Sequence, residues 1–168
     1  MAPEDNLLQV ALHTAKHSYV RAPGFRLHTD VDRIVRHESI DWDKFISLAK
    51  QLGVCTATFY SLEIAHQVCE TPIPAEVRQQ LAPSPSKQTA MTKLLRSAGL
   101  FHPQERKFSR LGYIRFTSLL YDDIGGLWHA IIPRRQDMTE RYGDHQQWQL
   151  PLLHVRRIAD LLFRRLST

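Results

Sequence analysis

At 168 residues, 43% of them apolar, the chain suits one domain and can fill a core, which excludes disorder throughout. Seven glycines and nine prolines argue against a turn-rich β architecture. The formal charge of +5 is uneven: residues 1–86 hold 8 Lys/Arg against 10 Asp/Glu, and residues 87–168 hold 14 against 7.

In chain order, Pro3-Glu4-Asp5 reads as a helix start, with proline in the first turn and carboxylates at the positive end of the dipole. Leu8, Leu12, Ala15 and Tyr19 recur at three- and four-residue spacing, so residues 4–20 are predicted as an amphipathic helix ended by Pro23-Gly24. Residues 29–38 read as a short helix opened by Thr29 or Asp30, with Val31, Ile34 and Val35 inward. Residues 24–32 are the one stretch with an extended alternative. Asp41 is the predicted N-cap of a helix from Trp42 to Leu52, with Gly53 as its C′ residue. Residues 54–69 are apolar on most sides and predict the most buried helix.

Pro74 opens a short helix reaching Leu81. The segment 82–86, Ala-Pro-Ser-Pro-Ser, reads as a linker. It divides an N-terminal helical subdomain, 1–81, from a basic C-terminal helical subdomain, 87–168. Further helices are predicted at 87–98 and 104–121, with Asp122 to Gly126 as a break or an end. Residues 134–142 and a last helix from Pro151 to about Arg165 complete the pattern. The expectation is an all-α, irregular fold of about eight helices divisible into two subdomains.

Cys55 and Cys69 fall on one predicted helix, about 20 Å apart, too far for a disulfide. Two free thiols, an acidic N-terminus without an apolar signal core and no segment long enough for a bilayer predict a cytoplasmic protein with no membrane partner. The basic C-terminal half is the expected surface for an anionic partner, nucleic acid or an acidic protein.

Several residues invite chemistry. Asp30 and Asp32 would share one side of a strand and could hold Mg²⁺, but on a helix they diverge by about 200°. The periodicity favours a helix, with Asp30 as cap and Asp32 on the surface. Asp41 and Asp43 repeat the form with a cap and a first-turn acid. His13 and His17 sit at i, i+4, as in zinc helices, but Thr14 stands where the catalytic version has Glu, and no third ligand is apparent. Lys16, His17 and Arg21 form a cationic cluster near the first helix's C-terminus, fit for a phosphate. Arg21 and His28 have the spacing of a helical ribonuclease pair, interrupted by Pro23-Gly24. Arg156, Arg157, Arg164 and Arg165 accompany the apolar face of the last helix. No nucleophile elbow, phosphate-cradling loop, dinucleotide fingerprint or Cys-x-x-Cys pair occurs, so the reading assigns no catalytic and no metal-binding residue.

Three runs carry a family likeness: Leu7-Leu-Gln-Val-Ala-Leu-His-Thr-Ala-Lys-His17, Asp30-Val-Asp-Arg-Ile-Val-Arg-His37 and Ile40-Asp-Trp-Asp43. Together with Thr71-Pro-Ile-Pro-Ala-Glu-Val77 and the segments 132–143 and 150–157, they resemble the C-terminal helical region of an uncharacterised bacterial nucleotidyltransferase family. Members resemble one another in a Gly-Ser followed by Asp-x-Asp on a strand, where the aspartates hold Mg²⁺ and a nucleoside triphosphate. This sequence contains no Gly-Ser. The resemblance therefore implies a helical half, not active alone, that positions a substrate or partner beside a separate catalytic domain. Mg²⁺ and the nucleoside triphosphate would belong to that domain, leaving no cofactor in this chain. It further implies anion contacts by Lys16 and His17, with Arg21 beside them, and orientation of an acceptor hydroxyl by Asp30. A basic helical module for nucleic acid or an acidic protein is the alternative.

Overall fold

The computed structural model describes residues 1–17, 26–98, 108–131, 151–153 and 155, and no strand occurs among them. The all-α expectation is met. The helices are α1 (Pro3–His17), α2 (Arg26–His37), α3 (Trp42–Gln51), α4 (Cys55–Cys69), α5 (Ala75–Leu81), α6 (Pro85–Ala98), α7 (Arg110–Leu120) and α8 (Ile124–Ile131). Two compact units divide the chain, Met1–Asp122 with α1–α7 and Asp123–Thr168 with α8. The Pro/Ser segment 82–86 lies inside the first unit. Its Pro85 is already the first residue of α6, a position where the missing N–H is no loss. The helix predicted at 134–142 lies outside the described residues. Of the predicted final helix, residues 151–153 and 155 are helical and the rest lies outside.

Local chemistry sets most helix ends. Asp41 caps α3 in an extended conformation, its carboxylate accepting from the Lys44 N–H at 3.1 Å. Gly53 follows at φ 64°, the left-handed residue that stops the helix. Ser109 caps α7 by accepting from the Gly112 N–H at 3.2 Å, so this helix starts later than its predicted onset at 104. Glu70 ends α4 at φ 54°, a left-handed position filled without glycine.

α4 is the centre of the first unit. Nine of its fifteen residues are buried, and α1, α2, α3, α5 and α7 all pack on it. Small side chains make the approach close. Ala11 and Ala15 on α1 and Ala57, Ser61 and Ala65 on α4 are buried, and Ser61 Oγ donates to the Ala11 carbonyl at 2.6 Å. Phe45, Leu7, Leu62, Val31 and, from later helices, Leu81, Met91 and Phe116 fill the space around them. No helix among the described residues is long and apolar enough to cross a membrane.

α2 departs from expectation at its start. It begins at Arg26, not at Thr29 or Asp30, which removes the extended alternative for 26–32 and makes Asp30 an interior helical residue, not a cap; residues 24 and 25 lie outside the described residues. The reason lies in Leu27 and His28, which add an inward turn to the face of Val31, Ile34 and Val35. His28 is completely buried, and its Nδ1–H donates to the Ser61 carbonyl at 3.3 Å. A carbonyl only accepts, so the proton on Nδ1 is fixed by its partner.

Candidate functional site

Thr14 Oγ1 donates to the Leu27 carbonyl at 3.3 Å, which brings the last turn of α1 against the first turn of α2. At this corner Lys16 and His17 are exposed in the last turn of α1, and Asp30 is exposed on α2. Arg21 lies outside the described residues. The His13 and His17 rings stand 4.5 Å apart at an interplanar angle of 38°. Among the described residues the ion pairs are Arg36–Asp32, Lys44–Glu4 and Arg78–Glu63, so neither Lys16 nor Asp30 is engaged in one.

Asp32, expected on the surface, is a tie-point instead. It accepts from Arg36 Nε and from Thr71 Oγ1, each at 2.8 Å, and Arg36 Nη2 also reaches the Cys69 and Glu70 carbonyls at 3.0 and 3.1 Å. Arg36 therefore satisfies carbonyls at the C-terminal end of α4, where a cation is also favoured by the helix dipole. His66 Nδ1–H adds a bond to the Thr71 carbonyl at 2.9 Å. Asp30 and Asp32 thus do different work, and a shared metal is excluded by their helical divergence.

The other end of α4 is closed from far along the chain. Asp122 accepts from the Cys55 and Thr56 N–H groups at 2.7 and 2.6 Å. Lys87 Nζ grips the Tyr121 carbonyl and reaches the Asp122 carbonyl at 3.3 Å. Sequence reading saw a break at Asp122 but not the cap, since nothing local links residues 67 positions apart. Glu4 was also missed: it is buried, accepts from the Asp41 N–H at 3.1 Å and pairs with Lys44 at 2.9 Å. The Lys44 ammonium, followed by that N–H, holds its carboxyl below the usual range.

Among the described residues neither cysteine is activated as a nucleophile. Burial, then the Asp122 carboxylate, pushes the Cys55 thiol up to about 11, and burial raises Cys69 as well. His28, the weak ribonuclease-like candidate, is sealed in the core and lowered to about 4 by burial. Among the described residues no group of three or more His, Cys, Asp or Glu is placed to hold a metal.

Residues 1–70 match the model of a family described as uncharacterised nucleotidyltransferase. This nucleotidyltransferase-like block coincides with α1–α4 and stops at the left-handed Glu70. Lys16, His17 and Asp30 lie within it; the resembling segments at 71–77, 132–143 and 150–157 lie beyond it. No curated protein and no solved structure matches the chain.

Proposed function

We propose that the α1–α4 block is the substrate- or partner-positioning part of a nucleotidyltransferase system, working beside a catalytic domain that supplies Mg²⁺ and the nucleoside triphosphate. The supporting observation is that the family match covers the block whose exposed corner carries Lys16, His17 and Asp30. Lys16 and His17 contact an anionic group from the last turn of α1, where the helix dipole favours positively charged side chains. Arg21 adds a third positive charge from the connection to α2. Asp30 orients an acceptor hydroxyl by accepting its hydrogen bond. Fold likeness alone does not carry function, so the reading stands on these residues.

The test is equilibrium binding of inorganic pyrophosphate, as the anionic probe, to the full chain, with a labelled-nucleotide transfer assay alongside. Lys16→Ala with His17→Ala is expected to weaken binding about tenfold, the value of one lost charge-assisted contact. Unchanged binding would remove the site assignment. Nucleotide transfer by the isolated chain would overturn the non-catalytic role.

A further inference from the structure

Charge engagement within the α1–α4 block is uneven. Arg36 and Lys44 are held in the contacts described above, and Lys50 Nζ donates to Gln80 Oε1 at 3.2 Å. Among the described residues, Lys16, Arg26 and Arg33 donate to no partner. All three lie at the α1–α2 corner or on the outward face of α2. There Arg26, Thr29, Asp30, Arg33 and His37 are exposed, and their spacing of three, one, three and four residues makes a single narrow stripe. The stripe is about 16 Å long at 1.5 Å per residue.

Four of the block's carboxylates gather away from this stripe. Glu4 and Asp5 open α1, Asp41 and Asp43 open α3, and the Glu4–Asp41 hydrogen bond draws these two helix starts together. Glu4 and Asp5 stand toward the opposite end of α1 from Lys16, about 17 Å away along the helix. Exposed cations without an ion pair therefore line the α1–α2 corner and the α2 stripe, with Asp30 as the one acid among them, a distribution that favours a polyanion there.

A single phosphoryl group can meet only one or two of these cations. A repeated phosphodiester can meet Lys16, Arg26 and Arg33 in turn. Asp30 lies within the stripe, its carboxylate in no ion pair among the described residues, where a terminal hydroxyl of such a strand would be received. We infer that the acceptor positioned by this block is a single-stranded nucleic acid, held through its backbone by Lys16, Arg26 and Arg33. The inference rests on the positioning role proposed above and names its substrate class.

Fluorescence anisotropy of the full chain with a labelled mixed-sequence oligonucleotide tests it. Three phosphate contacts give a slope of log K against log salt of about −2 for a single strand. Arg26→Gln with Arg33→Gln should lower affinity at least about tenfold at low salt and bring the slope to less than about 1 in magnitude. Both positions are exposed, so the circular dichroism melt should not move. Lys93→Gln with Arg96→Gln, exposed on α6, should leave binding unchanged. An unaltered slope in the α2 variant, or an equal loss in the α6 variant, would overturn the inference. So would displacement of the oligonucleotide by polyglutamate at equal charge, which would assign the stripe to an acidic protein. A chain that binds pyrophosphate through Lys16 and His17 but not the oligonucleotide would overturn this inference and leave the positioning role intact.

Discussion

Acid should destabilise this fold through His28 before any carboxylate is reached. The ring is sealed between α2 and α4 and stays neutral down to about 4 because burial disfavours its charged form. In the unfolded chain the same ring takes up a proton near the ordinary 6.5. Between those values the unfolded state binds more protons than the native state, so stability falls as pH falls. At about 1.4 kcal/mol per pH unit the full difference is about 3 kcal/mol, a sizeable part of the ~5–15 kcal/mol of a typical domain. Above pH 7 the effect vanishes, and below pH 4 it is complete. Urea unfolding followed by far-ultraviolet circular dichroism at pH 7, 6, 5 and 4.5 measures it. His28→Asn keeps a donor for the Ser61 carbonyl but cannot titrate; it should be less stable at pH 7 and show a shallower decline. Equal pH slopes in the two proteins would refute the assignment to His28.

Other consequences follow from single residues. Glu70→Gly should raise stability by about 0.5–1 kcal/mol in thermal melts, because an exposed non-glycine residue at φ 54° carries left-handed strain that glycine lacks. Asp122→Asn should cost about 1–2 kcal/mol by weakening the cap on α4. The same change removes a negative charge that raises the Cys55 thiol, so alkylation of Cys55 should start at lower pH while Cys69, at the other end of the helix, keeps its rate. Glu4→Gln should flatten stability at acid pH: a carboxyl held below its usual range stabilises above its unfolded value and loses that contribution as pH falls.

What was legible in the sequence was what depends on neighbours. Asp41, Gly53 and Pro74 act within three or four residues, and each marks a helix end as read. The fifteen-residue α4 declared its burial through apolar side chains on most of its sides. The start of α2 was misread because His28 counts as polar, whereas here it turns inward to a carbonyl exposed by no pattern in the sequence. Ser109 was passed over because Gln104, Glu105, Arg106 and Lys107 before it are good helix formers and gave no signal of a later start. Asp32, Glu4 and Asp122 all bond to groups 37 to 67 positions away, and only the folded packing brings those partners into reach.

The same division separates structural charge from binding charge. By composition the positive half is residues 87–168, and Lys87 there is committed to backbone carbonyls beside α4. In the nearly neutral first half, ion pairing consumes Arg36 and Lys44 against Asp32 and Glu4, and it is this pairing that leaves Lys16, Arg26 and Arg33 available. Hydrogen-bonded cations inside a network lose much of their attraction for a ligand, because a second anion must displace the first or crowd it. An unengaged guanidinium on an exposed helix face meets no such cost, and two of them a helical stripe apart select a ligand whose negative charge repeats along its length.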